Sequence, residues 1–218
     1  IRDRLVYSSG PVKTSEVLSD PIFAVSKNAL WLRRDAEMYQ WKEDEESKTE
    51  KNVGGSETTT KTYRYSKTWS SSLINSSSFK DPAGHTNPNE MKVDGATFVA
   101  QNARLGVFRL DDSLVRSIDG EQTLVVPAEQ RSSVFPDAKV YEGGFYLGND
   151  PVQPQVGDIR VRFSAVPPSI VSVVAAQVGD NLSGYSTKNG YVISLIRAGT
   201  HTADALFDRA LMENTLIT

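Results

Sequence analysis

The feature that most constrains the fold is a pair of long strand-like segments joined by a polar turn. The second segment, residues 58–73 (TTTKTYRYSKTWSSSL), alternates with a period of two between aromatic and polar side chains. This alternation is typical of a β-strand with one packed face and one wet face. The first segment, residues 31–46 (WLRRDAEMYQWKEDEE), has aromatic residues at the same spacing, and Gly54 and Gly55 lie between the two. The sequence therefore predicts a long antiparallel hairpin.

The hairpin brings aromatic side chains from both arms onto one face. These residues are Tyr39, Trp41, Tyr63, Tyr65 and Trp69. Such a face is either a buried part of the domain's own core or a docking surface for a protein or a lipid headgroup layer. Because a two-stranded ribbon is marginal alone, it must pack on the rest of the chain or on another copy. Self-association through residues 31–73 is therefore one hypothesis.

The remainder of the chain predicts short elements separated by Gly, Pro and Asn turn signals. Strands are predicted over residues 139–147, 158–165, 170–178 and 191–197. Residues 76–89 read as a loop, residues 96–108 are ambiguous, and residues 112–118 suit a short helix capped by Asp111 or Asp112. The fold class is α+β and strand-rich, with antiparallel sheets. One contiguous domain is expected, with an N-terminal part (1–95) and a C-terminal part (96–218).

The last segment predicts an amphipathic helix with Thr202 as its N-cap. An apolar stripe follows the helical spacing and comprises Ala203, Leu206, Phe207, Ala210 and Leu211. No stretch reaches the roughly 20 apolar residues that span a bilayer. The chain begins at Ile1 rather than at Met, which indicates an excised fragment. Any membrane helices are then expected outside it.

Composition narrows the chemistry. The net charge of −3 argues against a nucleic-acid partner, and the absence of cysteine removes disulfides and thiolate sites. His85 and His201 are the only histidines, and neither lies near a nucleophile motif. The acidic run at residues 43–46 lacks the spacing of a calcium loop, so it is interpreted as a strand end facing Lys61, Arg64 or Lys67. No catalytic residue, metal ligand or cofactor is predicted, and the alternative is a hydrolase or ligand-binding domain with an unrecognised site.

Several segments together resemble one family. They are KTSEVLSDPIFAV (13–25), the LRR, EMYQW and EES motifs of residues 32–47, INS (74–76), GH (84–85), NP (87–88), VGDIRVRFS (156–164) and YSTKNG (185–190), with Tyr63, Tyr65, Trp69, Phe79 and Met91 between them. In order and spacing, the chain is similar over nearly its whole length to the LUMA (transmembrane protein 43) family.

The resemblance implies a topology of one membrane helix, this ectodomain, and a cluster of further helices. In an animal the domain would face the lumen of the endoplasmic reticulum and the perinuclear space; in a bacterium it would face the periplasm or the exterior. The implied role is a scaffold that organises the inner nuclear membrane, with self-association and with emerin and lamins as partners.

Overall fold

The computed structural model describes residues 4–215. Within these residues, seventeen strands and two α-helices follow one another in chain order: β1 (Arg4–Lys13), β2 (Val17–Ser19), β3 (Ser26–Asn28), β4 (Trp31–Lys51), β5 (Glu57–Ser70), β6 (Ala96–Val99), β7 (Arg104–Leu105), β8 (Phe108–Leu110), α1 (Asp112–Arg116), β9 (Gln122–Leu124), β10 (Lys139–Tyr141), β11 (Gly144–Leu147), β12 (Ile159–Val166), β13 (Ser169–Val178), β14 (Asn181–Ser183), β15 (Tyr185–Ser186), β16 (Val192–Ile193), β17 (Leu195–Ala198) and α2 (Ala203–Thr215). A short 3₁₀ turn covers Ser76–Ser78. The expectation of a strand-rich chain that closes with a helix is confirmed.

Two larger sheets organise the chain. The first has the order β1-β7-β8-β14-β13-β17, and β1 also pairs with β13, so its pairings close on themselves. The second has the order β10-β11-β12-β4-β5, with β6 and β9 added beside β4 and β12. Pairing is antiparallel except between β8 and β14. Both sheets contain strands from residues 1–95 and from residues 96–218, because β1 pairs with β13 and β4 pairs with β12.

Strand β4 separates two hydrophobic clusters at its first residues. Trp31 packs in the cluster of the first sheet, where its indole Nε1 donates to the carbonyl oxygen of Ile118 at 2.9 Å. The next residue, Leu32, points the opposite way into the cluster of the second sheet, together with Met38 and Phe163. Successive side chains of a strand alternate between faces, so one strand contributes to both cores.

The second cluster contains one buried ion pair. Arg34 Nη1 lies 2.5 Å from Asp20 Oδ2, and the two side chains are 7% and 0% exposed. The other oxygen of Asp20 accepts hydrogen bonds from the backbone N–H groups of Ile22 and Phe23. Arg34 Nε also donates to the carbonyl of Asp94. Both charges are therefore compensated, as burial requires.

The hairpin forms, and it is longer than predicted. Strand β4 runs to Lys51, and the turn occupies only residues 52–56. The polar residues 47–51 pair with β5 all the same, because the register continues to Lys51 opposite Glu57. One strand predicted over residues 139–147 is instead a hairpin of β10 and β11. Glu142 and Gly143 turn between them with positive φ angles of 48° and 76°.

The terminal helix α2 begins as predicted, with the backbone N–H of Ala205 donating to Thr202 Oγ1. Of the predicted stripe, Leu206 is buried and Phe207 is half-buried, while Leu211 is 65% exposed. The inclusion of Leu211 in the packed face is therefore wrong. The helix lies on β13 and β17, and Leu206 is the residue of the stripe that this packing buries.

Candidate functional site

The predicted aromatic face exists, and the register of the hairpin defines it. Tyr39 is opposite Trp69, Glu43 is opposite Tyr65, and Glu45 is opposite Tyr63. Odd-numbered residues of β4 point away from the second hydrophobic cluster, which takes Leu32, Ala36 and Met38 from the same strand. The aromatic face therefore lies on the outer side of the second sheet. All five of its aromatic residues are half-buried, and neither cluster contains any of them.

The part of this face that lies beside β11 and β12 is built around Trp69. Its ring centroid lies 5.1 Å from that of Tyr39 and 6.1 Å from that of Tyr146. The guanidinium carbon of Arg160 lies 4.5 Å from the Trp69 ring centroid, and Arg160 Nη2 also bonds Glu37 Oε2 at 3.1 Å. A tilted ring contact, an edge-on ring contact and a cation over the ring fix the orientation of the indole.

A hydrogen bond fixes the position of Tyr146, the third ring of this group. Its hydroxyl donates to Asp158 Oδ2 at 2.6 Å, and burial together with that bond raises the pKa of the Tyr146 phenol. The backbone N–H of Gln155 donates to the same oxygen at 3.0 Å. Gly148 is required beside the carboxylate, since a Cβ at that position would lie 2.4 Å from Asp158 Cγ.

Further along the hairpin, a second group is built around His85. The imidazole stacks on Tyr65 with ring centroids 3.9 Å apart and meets Trp41 edge-on at 4.9 Å. Phe79 adds a ring 5.8 Å from Tyr65. Lys67 Nζ lies 4.8 Å from the Trp41 centroid. The segment between β5 and β6 thus supplies two rings that the hairpin alone lacks.

Hydrogen bonds hold the second group in place. The Tyr65 hydroxyl donates to Glu43 Oε2 at 2.7 Å and accepts from the backbone N–H of Asp81 at 2.9 Å. The same Glu43 oxygen accepts from the backbone N–H of Lys80 at 2.6 Å. Burial, followed by the bond to the Glu43 carboxylate, raises the pKa of Tyr65. His85 Nδ1 lies 3.0 Å from the carbonyl oxygen of Asp81, which positions the imidazole through the backbone.

Asn87 extends the backbone hydrogen bonding of β4 beyond Ile159, the residue at which the neighbouring strand β12 begins. Its Oδ1 accepts from the N–H of Trp41 at 2.7 Å, and its Nδ2 donates to the carbonyl of Trp41 at 2.8 Å. Two residues earlier on β4, the N–H of Tyr39 still bonds a backbone carbonyl, that of Asp158. A buried side-chain amide therefore takes the place of a neighbouring strand and anchors residues 71–95 to the hairpin.

The acidic run behaves as a charged strand end. Glu45 pairs with Lys61 at 3.1 Å, and Glu46 pairs with Arg64 at 3.6 Å. The hydrogen bond from Lys61 lowers the pKa of the Glu45 carboxyl. Lys67, the third predicted partner, instead covers Trp41. Within residues 4–215, no group of three or more His, Cys, Asp and Glu side chains is placed to hold a metal ion.

His201 lies on the other sheet, away from the aromatic face. Its backbone N–H donates to Ser172 Oγ at 2.8 Å, and its Nε2 lies 2.8 Å from the carbonyl oxygen of Ala198. The Ser172 hydroxyl bonds Ser9 Oγ and the carbonyl of Gly199. The imidazole thus contacts backbone rather than the serine hydroxyl, so the pair lacks the geometry of a nucleophile and its base.

Sequence reasoning found the five aromatic residues of the hairpin but missed four that complete the face. His85 and Phe79 come from the loop, and Tyr146 and Arg160 come from β11 and β12. The available signal for Arg160 was the alternation in residues 156–164, which puts Arg160 and Arg162 on the face opposite Ile159 and Val161.

Comparison with known proteins first gives the class: the chain is similar to transmembrane proteins. "Transmembrane protein 43" of Homo sapiens is 35% identical over 99% of this chain and 56% of that protein, and that of Pongo abelii is 36% identical over the same shares. The "Transmembrane protein 43 homolog" of Drosophila melanogaster is 29% identical over 95% of this chain and 55% of that protein. The chain thus spans about half the length of the curated relatives it matches.

The family model for "Transmembrane protein 43" matches residues 38–218. The chain therefore belongs to the transmembrane protein 43 family, as the resemblance of its motifs predicted. No solved structure gives a significant match. Among residues 4–215, no helix combines the length and the apolar character needed to cross a bilayer.

Proposed function

We propose that this chain is the non-enzymatic, strand-rich ectodomain of a multi-pass membrane protein, and that it organises membranes through protein contacts. Membership of a transmembrane protein family supports the membrane attachment. The observation that carries the proposal is the aromatic face, where large rings are held in fixed orientations yet stay half-exposed outside both hydrophobic clusters. Ordered aromatic and arginine side chains of this kind are typical of the energetic centres of protein interfaces.

The contact that we propose first is with another copy of the same chain. Strand β5 is the last strand in the order of its sheet, and within residues 4–215 it pairs only with β4. Its second edge therefore offers backbone groups to another strand. The adjacent aromatic rings supply apolar area that would be buried in the same contact. Attachment to a bilayer strengthens such a contact, since confinement raises the effective concentration.

The sidedness and partners of the whole protein are part of the proposal. The domain lies on the non-cytosolic side: in the endoplasmic reticulum lumen and perinuclear space of an animal, or on the periplasmic or extracellular face of a bacterium. In an animal, the protein would act in the nuclear envelope with emerin and lamins as partners. The resemblance to the family supports these statements.

Light scattering over a concentration series tests the contact. The mass of the native chain should rise above that of a monomer, and Trp41→Ser and Tyr65→Ser should each reduce the rise. Tyr191→Ser is the matched control, because Tyr191 is 73% exposed and directly precedes β16, which belongs to a sheet separate from that of the long hairpin. A monomer at every concentration contradicts the proposal. Association that both hairpin variants leave unchanged would place the contact outside the aromatic face. Loss of folding in either variant would assign a structural role to the substituted ring.

A further inference from the structure

A small hairpin, which forms a two-stranded sheet of its own beside β13, exposes apolar side chains. Strands β15 and β16 pair Tyr185 with Ile193. Tyr191 is 73% exposed and Val192 is 63% exposed, and Lys188 stands in the exposed turn between the strands. Tyrosine is enriched at membrane–water interfaces, and a neighbouring lysine can keep its charge among the headgroups while its stem lies on apolar surface.

Local hydrogen bonds fix the conformation of this hairpin. The N–H of Thr187 donates to the carbonyl of Tyr191 at 2.7 Å, and the N–H of Tyr191 returns a bond to Thr187 Oγ1 at 3.0 Å. Gly190 takes a φ of 82°, which favours glycine in the turn. At the base, a Cβ on Gly184 would lie 2.7 Å from Val192 Cγ1, so the two strands approach closely. The loop is presented in one defined orientation.

The start of β1 lies at the same end of the sheet as the base of this hairpin. Leu5 is opposite Ala176, and Ala176 is opposite Ser183, two residues before Tyr185. Arg4 pairs with Gln177, one residue closer to the end of β13. Leu5 itself is 41% exposed, and Val178 at the end of β13 is 43% exposed. Apolar exposure from three segments is therefore gathered at this end.

The later turns of α2 approach the other side of the hairpin base. Ser194, which follows β16 directly, lines a cavity of about 240 Å³ together with Arg209, Ala210 and Glu213. The first turn of α2 begins instead beside the middle of β13, where the N–H of His201 bonds Ser172. The helix thus leads toward the hairpin. The start of β1 and the later turns of α2 therefore both lie near the base of the hairpin that exposes Tyr191 and Val192.

We infer that this end of the domain rests on the lipid bilayer, with the β15–β16 hairpin inserted into the headgroup layer. The inference rests on the proposed function. Segments that cross a bilayer before and after the domain in the sequence would bring the start of β1 and the end of α2 to the membrane surface. The relatives are nearly twice as long as the matched region, which leaves room for such segments. Lys188 favours a surface that contains anionic lipid. The aromatic face of the second sheet remains available for protein contacts.

The absence of cysteine gives a direct test. Val192→Cys and the matched Val53→Cys, at the exposed tip of the long hairpin, are each labelled with an environment-sensitive fluorophore. The 218-residue chain is joined by sortase ligation at its C terminus to a lipid anchor in vesicles of phosphatidylcholine and phosphatidylserine. The label at residue 192 should shift to the blue and be quenched several-fold more by spin-labelled lipids than the label at residue 53. An anchor at the N terminus should give the same pattern.

Equal quenching at the two positions overturns the inference, and so does a label at residue 192 that stays in water with either anchor. Tyr191→Ser in the Val192→Cys background should reduce the quenching without changing self-association. Trp41→Ser should do the reverse. Because the two readouts belong to different sheets, failure of membrane contact leaves the proposed protein contact standing, and failure of self-association leaves the lipid result unaffected.

Discussion

The two halves of β4 are one continuous strand, yet they are stabilised by different interactions. From Trp31 to Met38 the strand pairs with β12 on one edge, and with β6 or the last residue of β5 on the other. Every even-numbered side chain in this half is buried. From Asp44 to Lys51 the strand pairs only with β5 within the described residues, and every side chain is exposed.

The difference shows how a long ribbon can remain ordered while contributing little to the core. The inner half gains stability from buried apolar area and from a compensated ion pair. The outer half has cross-strand pairs in water, each worth only a few tenths of a kcal/mol to about 1 kcal/mol. The loop that brings His85 and Asn87 onto the strand lies where the two regimes meet. The inner half anchors the hairpin in the core, and the outer half exposes both faces of the ribbon to solvent.

The largest expected effect is the loss of the buried ion pair in the inner half. Asp20→Ala leaves the Arg34 guanidinium buried without its partner and should lower the free energy of unfolding by about 3–5 kcal/mol. Asp44→Ala is the control in the outer half, since the Asp44 side chain is 60% exposed in its pair with Lys42. Urea denaturation measures both. Equal effects of the two substitutions would erase the distinction between the halves.

Core packing gives the next effect. Leu32 is fully buried, so Leu32→Ala should cost about 2–5 kcal/mol, including the cavity that it leaves. Val53→Ala, at the fully exposed tip of the same hairpin, should leave the denaturation midpoint unchanged. A measurable loss for Val53→Ala would indicate that the tip is packed in solution, which would sharpen the proposed self-association.

At the junction of the halves, Asn87→Ala should cost about 1–3 kcal/mol because it leaves the buried ladder groups of Trp41 and the carbonyl of Ile74 without partners. Asn89→Ala, two residues on and exposed, is the control. Native-state hydrogen exchange adds a local readout: the Trp41 amide should exchange faster in Asn87→Ala. Unchanged protection of that amide would mean that Asn87 does not anchor the loop.

The smallest effect belongs to the outer ion pairs. Lys61→Gln removes the partner of Glu45, and both side chains are exposed, so the midpoint should stay within error of native. Because Lys61 lowers the pKa of the Glu45 carboxyl, any stabilisation is present above that carboxyl's ordinary pKa. It is lost as the pH falls through the lowered value. Melts in low and high salt near neutral pH should therefore show at most a small difference that salt abolishes.

The hairpin was predictable because its signals are local. Period-two alternation gave the aromatic face, and the parity shared by Tyr39 and Tyr65 placed both arms on one side, as the register confirms. The short helix with Asp111 as its cap was predictable for the same reason, since the Asp111 carboxylate accepts from the N–H of Leu114 within one turn. Such patterns depend on neighbours a few residues apart.

Contacts across long sequence separations were not predictable. Asp20 meets Arg34 only because the chain turns back beside β4, and His85 reaches Tyr65 only through a loop that lies on the hairpin. A single histidine in a polar segment carries no sign of the ring on which it will stack. Leu211 shows the converse: helical spacing predicts an apolar stripe, but the tertiary packing of the helix decides which residues of the stripe are covered.

Hydrogen exchange of the native chain at low and at high protein concentration tests the central distinction most directly. Amides of residues 31–38 should be strongly protected at both concentrations, because they belong to the interior of the seven-stranded sheet. Amides of residues 42–66 should exchange faster in the dilute sample and gain protection as the chains associate. Protection of residues 42–66 that stays the same while the mass rises would contradict the account, and would place the contact outside the displayed half of the hairpin.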